Sequence, residues 1–356
     1  MTGAVGFVTW DDERPSGGTT YNRELVAALR AAGTEVAVRA LPGSWPQPSR
    51  EETDRLARAL TDHPVAIVDG IVASGAPDAL ARAVAAGHAV LVLVHMATAD
   101  EVGLDPDERD RRERTERQAL HAATTVIATS RTAAADLTRR HDLDDVRLAR
   151  PGMRRGAVAV GSDPPRLLAL GTLSPTKDQA TFVRALGLLR DLPWTARLIG
   201  PHDAVPEYAT DLATLVGESA LGDRVSLPGP RTGADLEDEW HAADLLVLSS
   251  RTETYGLVVA EALAHGVPAV VSAGTGAVEA LGDPGPDGHL PGCAVAPGDA
   301  VALAAVLRRW LTDPSLRTAL RRSARDRRQR LPGWDTTAAV VADLLAEVSS
   351  RPGAGR

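Results

Sequence analysis

Lysine, cysteine and aromatic residues are nearly missing from this 356-residue chain. The single cysteine, Cys293, excludes an intrachain disulfide and any cysteine-based metal cluster, and fits a reducing cytosol. Phe, Trp and Tyr together make up 3% of the sequence, too few for a base-stacking platform on single-stranded nucleic acid. No run approaches the ~18 consecutive apolar residues of a transmembrane helix, and residues 1–9 lack the basic start and apolar stretch of a signal peptide. With a net charge of −8 and no Lys/Arg-rich tail, nucleic acid and anionic membranes are poor partners. A cytoplasmic location follows as the expectation. No H-E-x-x-H, G-x-S-x-G or His/Cys cluster points to a metal or acyl-transfer site. Asp105-x-Asp107 and Asp142-x-Asp144 imitate a metal motif, yet their turn-like surroundings favour helix capping.

Of the 39 basic residues, only Lys177 is lysine. It sits in GTLSPTKDQ, directly after a predicted strand, where a compact ammonium suits phosphate as a point charge. The loop is no Walker A motif, because the G-x-x-x-x-G-K spacing is absent.

What the chain has in quantity is apolar aliphatic sequence in strand–helix alternation. Hydrophobic residues are 44% of the total, and the length suits two domains of ~150 residues. Strands are predicted at 4–9, 35–41, 65–69, 89–95 and 125–130, with helices at 19–33, 50–60, 76–86, 106–123 and 131–140 between them. The charge run 105–117 reads as a solvated helix face. Gly, Pro and charge at 150–165 mark an interdomain linker. A second series of strands follows at 166–171, 196–200, 224–229, 244–250, 268–272 and 293–297, with a helix at 178–190. Past residue 299 the chain turns helical, punctuated by Pro314 and Pro332-Gly333, and its last helix spans 334–349. Parallel sheets bind ligands at the carboxyl ends of their strands, so the loops after these strands are expected to line a cleft between two domains.

The most informative stretch is 244–281. Glu253 and Glu261 flank Gly256, which opens a helix between two buried strands. A helix amino end offers free N–H groups and positive dipole to a phosphate. Carboxylates beside it accept hydrogen bonds from hydroxyls. Phosphate and hydroxyls together point to a sugar nucleotide. Glu261 is set among Val258, Val259, Ala260, Ala262, Leu263 and Ala264, so the helix reads as buried nearly all round and the glutamate must have a partner. Gly17 and Gly18, before a predicted cap at Thr19, allow close backbone approach to a ligand. His95 ends an apolar strand and is a candidate proton handler or hydroxyl partner. Gly274-x-Gly276 offers another N–H cluster, too weak a sign for a dinucleotide fold.

The segment ETYGLVVAE (253–261) resembles the E-x7-E element of the GT-B glycosyltransferases of family 4, and GTLSPTK (171–177) resembles their G-R-L-S-x-x-K loop. PSGG (15–18), followed by a helix and a strand, is similar too. The likeness is strongest over 166–281 and holds only in outline over 40–125. It implies an α/β fold of two facing Rossmann-like domains: 1–155 for the acceptor, 156–333 for the nucleotide sugar, and a helix and tail at 334–356 crossing back to the first. Glu253 would hold hydroxyls of the transferred sugar and Glu261 the ribose. Tyr255, Gly256 and Leu257 would offer N–H groups to the diphosphate, with Lys177 neutralising its charge. Gly17 and Gly18 would approach the donor, His95 would sit near the reacting sugar, and Pro230 and Arg231 would lie near the base. The family arginine beside the loop glycine is Thr172 here, which removes a bidentate phosphate clamp unless Arg231 or Arg251 replaces it.

The implied activity is retaining, metal-independent transfer of a sugar from a nucleoside-diphosphate sugar to a small soluble acceptor, with no cofactor. A sugar-nucleotide epimerase, a glycosyl phosphorylase and a non-catalytic nucleotide-sugar-binding relative share the architecture and stand as alternatives.

Overall fold

The computed structural model describes residues 4–11, 16–285 and 288–350. Pro15 and the rest of 12–15 in the first loop lie outside the described residues, as does the tail from 351. The chain divides into two compact units, Met1–Gly152 with Pro332–Arg356, and Met153–Leu331.

The first unit is built on β1 (Val5–Trp10), β2 (Val36–Leu41), β3 (Val65–Asp69), β4 (Ala89–Val94), β5 (Thr125–Ala128) and β6 (Val146–Leu148). They form one parallel sheet in the order β2-β1-β3-β4-β5-β6. The second unit contains β7 (Arg166–Leu170), β8 (Thr195–Ile199), β9 (Val225–Gly229), β10 (Leu245–Leu248), β11 (Ala269–Ser272) and β12 (Gly292–Val295). Its parallel sheet runs β12-β11-β10-β7-β8-β9. Counted within itself, the second sheet has the doubly wound order 3-2-1-4-5-6, whereas the first runs 2-1-3-4-5-6, doubly wound with its reversal between strands 1 and 3. The central strands are buried from end to end, as in Ala89–Val94 and Leu245–Leu248, because crossover helices cover both faces of a parallel sheet.

All strands expected from the alternation are present, within a few residues of their predicted ends. β6 and the helices Gly70–Ser74, Pro206–Glu218 and Gly233–Ala242 were not foreseen. β6 has three half-buried residues at a sheet edge, too short and too mixed to show a period.

Helix Trp334–Ser349 packs against helix Gly17–Ala31 within the first unit. Its buried stripe of Thr337, Ala338, Val341, Leu344, Leu345 and Val348 repeats at helical spacing. Each large aliphatic side chain buried there contributes ~1.5–3 kcal/mol. Trp334 meets Tyr21 edge-on at 5.2 Å, and Thr337 Oγ1 donates to the Arg150 carbonyl at 2.7 Å. A side chain at Gly152 would overlap the backbone of Gly333 and Trp334, so only glycine lets the two segments meet.

The boundary between the units, Gly152 to Met153, falls inside the linker expected at 150–165, but residues 156–162 are not loose. They are pinned to the second unit by Ala159 N–H to the His265 carbonyl at 2.8 Å, Val160 N–H to the His241 carbonyl at 2.9 Å, and Ser162 N–H to Asp244 at 2.9 Å. The run 105–117 is not wholly solvated either. Glu108, Arg112 and Glu116 form an inward i,i+4 stripe on helix Pro106–Ala122, with Glu108 and Glu116 buried. Glu116 accepts from Thr98 N–H at 3.0 Å and lies 3.0 Å from His141 Nε2. Partnered charges hide an inward face from any reading based on hydrophobic period. Asp105 caps that helix through Glu108 N–H at 2.9 Å, and Asp142 closes another in a left-handed conformation.

Candidate active site

An open parallel sheet binds ligands outside the carboxyl ends of its strands, where the strand order reverses. In the second unit that place lies between β7 and β10. The loop leaving β7 carries Lys177 and the loop leaving β10 carries Glu253, and Lys177 Nζ donates to Glu253 Oε2 at 2.6 Å.

Backbone and side-chain bonds stitch the two loops together. Arg251 N–H donates to the Thr176 carbonyl at 2.7 Å, and Ser249 Oγ donates to the Asp178 carbonyl at 2.9 Å. Asp178, at φ +47°, caps helix Gln179–Gly187 by accepting from Thr181 N–H at 3.3 Å, and also accepts from Thr181 Oγ1 at 2.8 Å. Its second role is to hold the Arg251 guanidinium at 2.7 Å. Lys177 therefore leaves a braced segment, and its ammonium is placed by the fold. The carboxylate is 11% exposed and the lysine 30%, so their attraction is less screened than on an open surface. Ser250 Oγ adds a long contact to Glu253 at 3.4 Å.

Gly256 opens helix Leu257–Ala264, as the sequence predicts, at φ +82°, where a non-glycine residue is strained. A Cβ there would also press on Ala277 at 3.1 Å. The helix starts without a side-chain cap, and the positive end of its dipole lies at Gly256. Gly276 is not part of a separate N–H cluster. Its N–H donates to the Glu253 carbonyl at 2.7 Å, and a Cβ at this position would overlap the Thr254 carbonyl. The glycine seats the Glu253 loop.

The helix is not buried all round. Val259, Ala260, Ala262, Leu263 and Ala264 are buried, whereas Leu257, Val258 and Glu261 are half-buried. These three fall at i, i+1 and i+4, on one face, which leaves Glu261 a turn above Leu257 on the more open stripe. Tyr255 is buried beneath the loop. Thr172 is half-buried, and its carbonyl accepts from Gln179 Nε2 at 2.9 Å. Arg251 cannot act as an unengaged substitute for the family arginine, since Asp178 holds it. Pro230 and Arg231 follow β9, two strands along from β7, and Arg231 reaches the Pro230 carbonyl at 3.4 Å.

The first unit's sheet reverses order between β1 and β3. Helix Gly17–Ala31 follows β1, Asp69 ends β3, and His95 directly follows β4. Ser16, not Thr19, is the helix cap: Ser16 Oγ accepts from Thr19 N–H at 3.1 Å while Ser16 N–H donates to Thr19 Oγ1 at 2.9 Å. Gly17 and Gly18 are thus the first two helical residues. A Cβ on Gly18 would stand 3.1 Å from the His95 ring, so glycine is what admits the imidazole. His95 Nε2 lies 2.8 Å from Asn22 Oδ1, and Asn22 Nδ2 donates to Asp69 Oδ2 at 2.6 Å. Tyr21 packs on the imidazole edge-on at 5.1 Å. Burial pushes the His95 pKa below the ordinary imidazole value, against the opposing pull of Asp69.

Asn22 and Asp69 escaped the sequence reading. Asp69 ends a strand at the carboxyl edge next to the reversal, a signal that strand order would have exposed. Asn22 lies inside a helix with no motif around it. Among the described residues no group of three or more His, Cys, Asp or Glu side chains is arranged to hold a metal ion. Nor is any helix among them long and apolar enough to cross a membrane.

Comparisons with known proteins agree with this architecture. Residues 155–327 match the family Glycosyl transferases group 1. The chain is 30% identical over 258 residues to a D-inositol 3-phosphate glycosyltransferase of Xylanimonas cellulosilytica, covering 66% of this chain and 60% of that protein. A namesake from Kineococcus radiotolerans is 34% identical over 200 residues, covering 53% and 46% respectively. The chain thus spans about three fifths or less of the length of these curated relatives. In structure it is similar to sucrose-phosphate synthase from Thermosynechococcus elongatus, with TM-score 0.81, 22% identity and coverage of 97% of this chain and 98% of that one. It is also similar to Anabaena HepE in complex with UDP and glucose, with TM-score 0.74, 18% identity and coverage of 96% and 99%. With two doubly wound sheets and these structural matches, the chain has the GT-B fold, and its residues 155–327 match the group 1 glycosyl transferases.

Proposed function

We propose that this chain is a retaining glycosyltransferase of family 4 that moves a sugar from a nucleoside-diphosphate sugar to a small soluble acceptor, without a metal ion. The carrying observation is the Lys177–Glu253 pair at the second sheet's order reversal, beside the uncapped helix end at Gly256. Ammonium and N–H groups suit a diphosphate, and the carboxylate suits sugar hydroxyls. The relatives' name as D-inositol 3-phosphate glycosyltransferases and the UDP and glucose bound by HepE support this reading.

In the reaction the bond from the anomeric carbon to the diphosphate breaks, and negative charge grows on the departing oxygen. Lys177 and the first N–H groups of helix Leu257–Ala264 stabilise that charge, an electrostatic contribution made by groups already in place. The acceptor hydroxyl attacks on the face being vacated, and its proton passes to the departing diphosphate. Glu253 orients the sugar through its hydroxyls, and Glu261, a turn further along, holds the ribose. In the first unit, His95 is the group suited to accept from a substrate hydroxyl.

Turnover of a panel of nucleoside-diphosphate sugars with inositol phosphates and other small polyols tests the proposal. Acceptor-dependent release of nucleoside diphosphate, with an unchanged anomeric configuration in the product, is the expected result. Release that needs inorganic phosphate, or a changed sugar still attached to nucleotide, would contradict it. The short Thr172 side chain where the family has arginine favours one rival, a binding protein without turnover. Nucleotide binding with no release under any acceptor would establish that rival.

A further inference from the structure

We infer that Asp69 and Asn22 are positioning residues that fix His95 as the tautomer bearing hydrogen on Nε2, so that Nδ1 is the nitrogen offered as hydrogen-bond acceptor to a ligand hydroxyl. The inference about the ligand rests on the proposed sugar transfer; the tautomer itself rests on the hydrogen-bond network.

Helix Gly70–Ser74 begins on Asp69, whose Oδ1 accepts from Ile71 N–H at 3.0 Å. An ionised carboxylate only accepts, so its other oxygen must face a donor. That donor is Asn22 Nδ2, at 2.6 Å, and the same amide nitrogen lies 3.3 Å from Thr9 Oγ1. With its nitrogen committed, Asn22 turns its carbonyl oxygen to His95 at 2.8 Å. A carbonyl oxygen cannot donate, so Nε2 must carry the hydrogen and the neutral ring keeps its lone pair on Nδ1. Asp69 lies 3.7 Å from the same nitrogen and favours a hydrogen there as well. The ring is further held by the Tyr21 edge and by the space left at Gly18. A histidine serves as acceptor or donor at a given atom only if its tautomer is set, and here a fixed chain of three side chains sets it.

The network predicts that one isosteric change inverts it. In Asp69→Asn the oxygen stays with Ile71 N–H, and an amide NH2 takes the place of Oδ2. It would meet the Asn22 NH2, so Asn22 must turn over and present its nitrogen to His95. Nε2 then becomes the acceptor and the hydrogen moves to Nδ1. In Asp69→Asn with Asn22→Asp, the new carboxylate accepts from both neighbours, and hydrogen returns to Nε2.

The test is long-range 1H–15N correlation of histidine rings in the full chain above pH 8, with His95 assigned by its disappearance in His95→Gln. Circular dichroism verifies that each variant is folded. The expected pattern is Nε2–H in wild type, Nδ1–H in Asp69→Asn and Nε2–H again in the double variant. Turnover should fall at least tenfold in Asp69→Asn and recover in part in the double variant. A wild-type Nδ1–H tautomer, or an Asp69→Asn protein that keeps either the wild-type pattern or wild-type turnover, overturns the inference. If the tautomers follow the expected pattern in a protein that turns over no nucleotide sugar, the positioning role stands and the proposed activity fails.

Discussion

The two units answer the same topological opportunity with opposite chemistry. Both sheets reverse their strand order beside their first strand, between β1 and β3 in one and between β7 and β10 in the other, and both place polar side chains at the carboxyl ends there. In the second unit those groups are a charged pair, Lys177 and Glu253, partly open to solvent. In the first they are a chain of Asn22, Asp69 and His95, in which the histidine is held below its ordinary pKa. A full charge suits the neutralisation of a departing diphosphate. A neutral ring with a fixed tautomer suits the orientation of a hydroxyl. The doubly wound sheet supplies the location, and the loop residues decide what the location does.

Breaking the charged member has the largest expected effect. Lys177→Ala and Glu253→Ala should each lower turnover of the nucleotide sugar by ~10²–10³, the size typical for loss of one group that stabilises developing charge. Thermal melts of both should stay near wild type, since a part-exposed ion pair contributes little to stability. Asp69→Asn comes next, with the loss of at least tenfold in turnover expected from a misplaced proton.

Gly276→Ala sharpens the comparison from the side of stability. Its Cβ would overlap the Thr254 carbonyl, so relief requires the Glu253 loop to move. A cost of ~1–3 kcal/mol is expected, read as a lower urea midpoint, together with reduced turnover. Arg231→Ala should have a milder effect, a few-fold rise in donor KM with kcat little changed. A fall in kcat as large as that of Lys177→Ala would instead give Arg231 the role of the missing family arginine.

The smallest effect concerns pH. The unfolded chain protonates His95 near pH ~6.5, whereas the half-buried ring in the folded state resists protonation until lower pH. Its contribution to stability is therefore complete above ~6.5 and is lost as pH falls from that value through the folded pKa. His95→Gln should flatten that part of the urea-stability profile.

Much of this architecture was legible in the chain because parallel strands buried on both faces read as unbroken apolar runs, such as AVLVLV at 89–94. The last helix was legible for a different reason: Pro332 and Gly333 mark its start, and its apolar residues recur at helical spacing. The Lys177 and Glu253 loops could be read because a lone lysine and a glycine-opened helix are local signals. Their 2.6 Å contact was not, since it depends on β7 and β10 being neighbours. The same holds for Asn22, which meets Asp69 only through the pairing of β1 with β3. Glu116 shows the complementary failure: an inward charge with a partner looks like a solvated one until the partner, His141, is seen.

Calorimetric titration of the best-binding nucleoside diphosphate and its sugar conjugate into wild type, Lys177→Ala and Glu253→Ala tests the division of labour at the second unit most directly. If Lys177 holds the diphosphate and Glu253 the sugar, Lys177→Ala weakens both ligands at least tenfold. Glu253→Ala keeps the diphosphate affinity and loses only what the sugar adds. Equal binding by all three proteins, or loss of the bare diphosphate in Glu253→Ala with retention in Lys177→Ala, would contradict the account.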